Sequence, residues 1–331
     1  MNATKLHRLH LPRRQLLLAT AAAACTGPVF AQGKFPDKPI TLLVPFGPGG
    51  IADLTARAIG EHMSKALGQA IVVDNRPSAG SIVASQAVAT AKPDGYTLLL
   101  MSNGNAVSVG LLKKLPYDTV KAFAPVSTLG YFDLGIFAPA NSRFATLADA
   151  VKYAKANPGK LNVGSIAVGS TQHLSAKLFE TVAGIDALVV PYKGSPAVLT
   201  ALRAGEIDLA FEIVGPMVSQ VAAGVIKVLA VTGDKPNPAL PKVPTVMQSG
   251  IANYNVASWN ALAAPAGTPQ AVIDVLTKAA HNAVADPGVS EKLAKLGVRP
   301  QSSSPAELQA LLVSEIKRWD EVIKTARIEP E

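Results

Sequence analysis

The stretch VPFGPGGIAD, residues 44–53, decides how this chain is organised. It follows the apolar segment Ile40–Val44, which has the composition of a buried strand, and it leads into an amphipathic segment that ends at Gly68. A strand, a glycine-rich turn and a helix in this order predict the first unit of a parallel α/β sheet. The glycines let backbone N–H groups approach a ligand closely, and a helix N-terminus attracts anions.

Taken alone, this turn admits three interpretations. It suits a carboxylate or another anion, and it also suits a plain tight turn. The third is a dinucleotide-binding fingerprint, because Gly47, Gly49 and Ala52 have the spacing G-x-G-x-x-A. Asp74, at the end of the next predicted strand, fits that fingerprint, whereas Pro48 restricts the turn. No Gly-Lys-Ser/Thr follows, which excludes a nucleotide-binding P-loop.

Strands and helices alternate along the rest of the chain. We predict strands at 40–44, 70–74, 97–101, 161–165, 187–191, 207–212, 227–232 and 257–264, and helices at 53–67, 81–91, 147–156, 170–183, 196–204 and 305–326, with two helices before the last one. Such alternation produces parallel sheets with helices on both faces. We therefore expect two α/β lobes with a ligand cleft between them. Lobe I comprises residues 32–133 and 250–331, and lobe II comprises residues 134–249.

The N-terminus has the three parts of a secretory signal peptide. A basic segment, 5–14, precedes an apolar run, 16–24, and small residues precede Gln32. We therefore expect residues 1–31 to be removed on export to the periplasm. The apolar run is shorter than the roughly 20 residues that span a bilayer. Arg13-Arg14 resembles the start of a twin-arginine signal, but the consensus is incomplete, so the export route stays open.

Composition excludes several functional classes. The only cysteine, Cys25, lies inside the predicted signal, where we favour an ordinary signal residue over a lipid-anchor site. Its removal leaves no thiol for disulfides or Cys-based metal sites, and we expect neither a metal nor a cofactor. The formal charge is +8, but four basic residues and no acid lie in the first 31 positions, and the other basic residues are scattered. We therefore expect no nucleic-acid binding.

A second strand, turn and helix start occupies residues 162–174, NVGSIAVGSTQHL. Either Ser170 or Thr171 caps the helix, or a hydroxyl and the free N–H groups bind a carboxylate. Ser170 and His173 also leave open an exported hydrolase, although the chain has no G-x-S-x-G elbow. A nicotinamide-dependent enzyme, suggested by the first turn, is a weaker alternative. We favour a packing role for His173.

Nine short stretches carry a resemblance that covers residues 33–327. They are FPDKPI (35–40), VPFGPGG (44–50) with Asp53, VVDNRP (72–77), KPDGYT (92–97), KLPYD (114–118), GSTQHL (169–174), VPYKG (190–194), VPTV (243–246) and APAGTP (264–269). In this order and spacing they resemble the Bug-type receptors of tripartite tricarboxylate transporters.

The resemblance implies an α/β, two-lobed fold of the type II periplasmic-binding-protein kind with the ligand cleft between the lobes. It implies a receptor rather than an enzyme. We expect this receptor to be a monomer. Its ligand is a small carboxylate, such as an organic acid, an acidic amino acid or an aromatic acid, which it delivers to membrane permease subunits. The two turns then hold the carboxylate across the cleft through Phe46, Gly49, Gly50, Ala52, Asp53, Ser165, Gly169, Ser170 and Thr171. Three roles stay open for Asp53: it caps its helix, it orients bridging water, or it contacts a ligand ammonium.

Two positions depart from the family pattern. The turn before GSTQHL is apolar here, Ile166 to Val168, which favours a ligand with an apolar or aromatic body. Glu212 stands where family members have the Asp of Phe-Asp-Asn. Amino-acid-binding members use that acid for the ligand amine, so we include Glu212 among the expected ligand-binding residues, although its longer side chain puts that role in question. Tyr131 and Phe132 either line the cleft or pack at the lobe crossing.

Overall fold

The computed structural model describes residues 35–237, 239–325 and 327–330. The predicted signal peptide, 1–31, and Cys25 lie outside the described residues. Contacts between residues group Lys38–Glu331 into one compact unit. In the part of the chain that is described, every helix is too short or too polar to cross a membrane.

The described residues contain a mixed sheet and helices on both of its faces. The strands are β1 (Ile40–Val44), β2 (Ile71–Asn75), β3 (Thr97–Ser102), β4 (Phe123–Pro139), β5 (Leu161–Ile166), β6 (Ala187–Tyr192), β7 (Leu209–Ile213), β8 (Ile226–Val231), β9 (Ala257–Pro265) and β10 (Val298–Pro300). The helices are α1 (Ile51–Leu67), α2 (Ile82–Ala89), α3 (Asn103–Leu111), α4 (Leu147–Ala156), α5 (Thr171–Ala183), α6 (Ser195–Ala204), α7 (Val214–Ala222), α8 (Gln270–Ala285), α9 (Pro287–Lys295) and α10 (Pro305–Thr325). The predicted α/β fold class is confirmed.

One long strand, β4, belongs to two sheets. The strand order is β2-β1-β3-β9-β4-β7-β5-β6, and β8 and β10 also pair with β4. Residues 123–133 of β4 pair with β9, and residues 134–139 pair with β7 and β8. We call β1, β2, β3, β9 and β10 with residues 123–133 of β4 the first sheet. We call β5, β6, β7 and β8 with residues 134–139 of β4 the second sheet. The change of partner lies at the position where the sequence predicts a lobe boundary; the lobe boundaries themselves stay a prediction.

Most predicted elements lie within two residues of the observed ones, because their signals are local. The strands β1 and β3 are almost wholly buried, as the apolar runs indicate for strands covered on both faces. Helix α1 begins directly after Gly50 and ends at Gly68, whose φ of 68° is the left-handed conformation that glycine adopts at helix ends. Both tryptophans, Trp259 and Trp319, are buried in the core.

Four elements are missing from the sequence prediction: β4, the three-residue strand β10, α3 and α7. Strand β4 contains two prolines and two glycines, which weaken a strand pattern. Helix α3, NGNAVSVGL, consists largely of poor helix formers, but a capping box between Ser102 and Asn105 and packing against α10 hold it. Helix α7 contains a glycine and a proline in its first turn. Tertiary packing outweighs the weak local preference in each case.

Candidate functional site

The principal pocket lies where the carboxyl ends of strands from both sheets meet. Its walls bound about 400 Å³, a volume that includes the open solvent at its mouth. Its lining consists of Phe46, Gly47, Gly50, Ile51, Ala52, Ser102, Phe132, Ile166, Thr171, Gln172, Gly194, Ser195, Ile213, Ser258 and Asn260. None of these described lining residues is charged. The ends of parallel strands are the usual place for ligands in open α/β sheets.

Five helix N-termini converge on this pocket. The lining includes the cap or the first residues of α1 (Gly50), α3 (Ser102), α5 (Thr171), α6 (Ser195) and α7 (Ile213). The first N–H groups of a helix have no partner inside the helix, and each N-terminus carries a partial positive charge of about half a unit. The pocket therefore attracts a negative ligand without an arginine or lysine among its described lining residues.

The turn between β1 and α1 is shaped by a buried acid. Asp53, which is 2% exposed, accepts the Gly49 N–H at 2.9 Å and forms an ion pair with Arg57 at 2.9 Å. Burial raises the pKa of Asp53, but the Arg57 guanidinium and the Gly49 N–H outweigh this effect and hold the pKa below its ordinary value. Asn75 donates to the Phe46 carbonyl at 3.0 Å and accepts from Arg57 at 3.1 Å. These contacts hold the turn in place from behind.

The turn between β5 and α5 is held by uncharged groups. Ser170 Oγ accepts the backbone N–H of His173 at 3.1 Å, so Ser170 is the N-cap of α5. Ser165 Oγ donates to the Ile166 carbonyl at 3.1 Å. Gly169 has φ of 80°, and a Cβ added there would lie only 2.6 Å from Gly80 Cα. Thr171 lines the pocket, and its hydroxyl lies 2.9 Å from the Ser258 hydroxyl.

Elements of the two halves touch each other around the pocket. Gly80 N–H donates to the Val168 carbonyl at 2.7 Å, and Asn103 Nδ2 donates to Thr171 Oγ1 at 3.3 Å. Asn103 Oδ1 accepts the indole N–H of Trp319 at 2.9 Å, which connects the pocket rim to α10. These hydrogen bonds connect elements of the two sheets beside the pocket.

Only part of the predicted residue set lines the pocket. Phe46, Gly50, Ala52 and Thr171 do, and so does Phe132, one of the two aromatic residues proposed for the wall. The remaining predicted residues lie outside the lining and support it from behind: Gly49, Asp53, Ser165, Gly169, Ser170 and Glu212. Capping and turn formation account for the observed contacts of Asp53 and Ser170. Direct ligand contacts by these supporting residues stay a prediction.

Several polar residues of the pocket were missed by sequence reasoning. Ser258 and Asn260 lie on one face of β9, and Asn260 pairs in register with Ser102 of β3. The amide nitrogen of Asn260 is buried without a hydrogen-bond partner among the described residues, so its N–H groups are available to a ligand. Ser195 follows directly on the VPYKG motif, which was the one available signal. Ser258 and Asn260 alternate with apolar residues along β9, but the sequence does not show which face of the strand meets the pocket until the neighbouring strands are known.

Glu212 lies behind the pocket wall. Its Oε2 atom accepts the Ser195 hydroxyl at 3.0 Å and the Ile213 N–H at 3.2 Å. Burial raises the pKa of Glu212 to about 7. His173 is also buried, and burial together with the nearby Lys177 lowers its pKa to about 4, so its imidazole is neutral at pH 7. Among the described residues, no cluster of three or more His, Cys, Asp or Glu side chains offers a metal site.

The model of the family described as "Tripartite tricarboxylate transporter family receptor" matches residues 55–328, and the chain belongs to this family of solute-binding receptors. The expected family is therefore confirmed. A protein of a Pseudomonas species, described as "UPF0065 protein in tcbD-tcbE intergenic region", is 36% identical over 322 residues, which cover 96% of both chains.

Solved structures agree with this assignment. The periplasmic binding protein BugD has a TM-score of 0.86 at 31% identity, covering 90% of this chain and 100% of its own. R. palustris Rpa4515 with adipate has a TM-score of 0.85 at 34% identity, with the same coverage. MatC from Rhodopseudomonas palustris with bound malate has a TM-score of 0.83 at 31% identity and covers 87% of this chain and 100% of its own. The predicted periplasmic-binding-protein fold is thereby confirmed.

Proposed function

We propose that this chain is a periplasmic receptor that captures a small carboxylate and delivers it to the membrane permease subunits of a tripartite tricarboxylate transporter. The observation that carries the proposal is the convergence of five helix N-termini on one pocket with no charged residue in its described lining. A hydrogen bond to a charged group contributes about 1.5–3 kcal/mol, so a few such donors suffice for tight binding of an anion.

The walls of the pocket suggest the body of the ligand. Phe46, Phe132, Ile166 and Ile213 supply apolar surface between the polar groups. A ligand with carboxylates at its ends and methylene groups between them matches this distribution. Adipate and malate, which are bound in two similar structures, are small dicarboxylates and are the first compounds to test.

Export and delivery rest on the family and on the N-terminal pattern. The charged, apolar and small-residue segments of residues 1–31 support a periplasmic location. Membership of the receptor family supports a membrane permease as the partner.

A hydrolase that uses Ser170 and His173 is the competing function. Both residues are buried, at 1% and 3% exposure, and neither lines the pocket. The Ser170 hydroxyl is engaged as the helix cap, which is a structural role. We therefore propose binding without turnover. Chromatography of adipate diesters after long incubation with the protein tests this, since any hydrolysis above a Ser170→Ala control contradicts it.

A thermal-shift panel tests the carboxylate. We expect adipate or malate at about 100 times its dissociation constant to stabilise the fold by roughly 2.7 kcal/mol. Adipamide, which has the same length without charge, is the matched control ligand and should have little effect. If no acid raises the melting temperature while adipamide or a sugar does, the carboxylate proposal is wrong.

A further inference from the structure

Glu212 is a buried acid separated from the pocket by one layer of residues. It is 1% exposed. Its Oε2 atom accepts hydrogen bonds from Ser195 and Ile213, both of which line the pocket. Its Oε1 atom is buried without a hydrogen-bond partner among the described residues. A buried carboxylate with an unsatisfied oxygen is costly, whereas a protonated carboxyl is much less so.

Among the described residues, no positive charge is paired with this acid. The elements packed against β7 are β4, β5, α5, α6 and α7. The ionisable residues that these elements carry are Tyr131, Asp133, His173, Lys177, Glu180 and Arg203. Neither Lys177 nor Arg203 forms an ion pair with Glu212, and Lys177 is paired with Glu180 at 2.8 Å. The groups that shift the pKa of Glu212 are uncharged: burial raises the pKa, and polar groups of Ser195, Ile213 and Gln172 lower it by less.

We propose that Glu212 makes ligand capture proton-linked, so that the receptor holds its carboxylate ligand together with one proton on Glu212. This inference rests on the proposed function, because it requires an anion in the pocket. A ligand carboxylate beside Ser195 adds a second negative charge to a space without a cation. Two carboxylates that share such a site do not both stay ionised, and the ligand keeps its charge because the helix N-termini stabilise it. The proton comes from solvent.

The direction of the pH dependence follows from this geometry. Burial raises the pKa of Glu212 to about 7 before a ligand is present, and a nearby anion raises it further. Below about pH 7 the proton is already bound, so the affinity is level. Above pH 7 each binding event must take a proton from solution, so the affinity falls by up to about tenfold per pH unit until the pKa of the complex is reached.

A ligand ammonium is the alternative partner for an acid at this position. In that case the ionised form of Glu212 is required, and the affinity rises with pH through neutrality. The two possibilities therefore predict opposite slopes, and the sign of the slope distinguishes them.

Titration calorimetry with adipate and malate between about pH 6.5 and 9 tests the inference. Both probes are dianions over this range, so any proton exchange belongs to the protein. We expect the dissociation constant to rise by about tenfold or more from pH 7 to pH 9. Parallel titrations in buffers of different ionisation enthalpy should show uptake of up to one proton per ligand near pH 8.

Two variants assign the effect. Glu212→Gln imitates the neutral acid, so its affinity should be level across the range and tighter than that of the natural protein at pH 9. Glu206→Gln, at an exposed position six residues earlier, is the matched control and should keep the natural profile. If Glu212→Gln does not fold, the number of protons that the natural protein takes up per bound ligand tests the proton linkage.

The outcomes separate this inference from the proposed function. Tight binding of adipate or malate with a level pH profile and no proton uptake overturns the proton linkage and leaves the receptor function intact. An affinity for adipate or malate that rises with pH overturns the proton linkage. Because neither probe carries an ammonium, the ammonium alternative is tested with an amino acid such as glutamate, whose affinity should rise with pH. Failure of every carboxylate to bind at any pH overturns the proposed function and the proton linkage together.

Discussion

The β1–α1 turn and the β5–α5 turn both bring a helix N-terminus to the pocket, but different groups support them. Behind the first turn, Asp53 is paired with Arg57 and accepts the Gly49 N–H. Behind the second, the Ser170 hydroxyl caps the helix, and Gly169 packs against Gly80. The first support is ionic and the second is neutral and steric.

Because of this difference, we expect the first turn to respond to pH and the second turn to respond only to substitution. An ionic support depends on pH, because protonation of the acid removes it. A hydroxyl cap and a glycine contact do not titrate in the accessible range, so they respond only to substitution. The pocket is thus shaped by an ionic support and a neutral support, which can be perturbed separately.

The largest effect is expected at Gly169. Its φ of 80° and the 2.6 Å approach of an added Cβ to Gly80 Cα make a side chain doubly unfavourable. Gly169→Ala should weaken adipate binding about 100-fold, equivalent to about 2.7 kcal/mol, because the contact between the halves is pushed apart.

Gly184→Ala is the matched control, since Gly184 has φ of 60° at the other end of α5 and no atom within 4 Å of an added Cβ. Both variants should lose about 1 kcal/mol of unfolding free energy through backbone strain, and Gly169→Ala should lose more because its Cβ also clashes with Gly80. Calorimetry and urea unfolding measure the two quantities. Equal affinities in the two variants would show that the approach to Gly80 has no part in binding.

An intermediate effect is expected at Asp53. Asp53→Asn should lower the unfolding free energy by about 1–2 kcal/mol at pH 7, because a charged hydrogen bond to the buried carboxylate and its ion pair with the half-exposed Arg57 are lost. The pKa of Asp53 is lowered by folding, so its stabilisation is complete above about pH 4 and is lost as the pH falls through the folded pKa.

Urea unfolding of both proteins at about pH 7 and pH 3 checks this sign. The difference between natural protein and Asp53→Asn should shrink at the lower pH. Asp320→Asn, which removes a half-exposed i,i+4 partner of Lys324, is the control and should change stability little at either pH. A constant penalty for Asp53→Asn would mean that the first turn is not held by charge.

The smallest effect is expected at Ser170. Ser170→Ala should cost about 1 kcal/mol of stability at both pH values, as loss of an N-cap does. Thr146→Ala removes the equivalent cap of α4 and should cost the same. Only Ser170→Ala should weaken adipate binding, and by less than about tenfold, because its hydroxyl bonds the His173 N–H and lies outside the pocket lining. A loss above 100-fold would instead establish a direct contact between Ser170 and the ligand.

The sequence supports prediction of the two turns far better than prediction of the pocket wall. Glycines, hydroxyls and the adjoining apolar strands are adjacent in the chain, so the turns could be recognised from local patterns. Asn260 and Ser258 belong to an apolar strand near the C-terminus, and their polar side chains gave no sign of a shared face with Ser102. Glu212 was included for its resemblance to a family position, whereas its place behind Ser195 comes from the pairing of β7 with β4.

The sequence by itself determined the α/β alternation, the family and the two glycine-containing turns, because each depends on the order of neighbouring residues. Only the tertiary structure decided which of those residues face the ligand space and which support it from behind. It also decided that β9 contributes a polar wall and that Glu212 is buried without a cation. These properties depend on which strands lie side by side and on the exclusion of water between them, and residues far apart in the chain determine both.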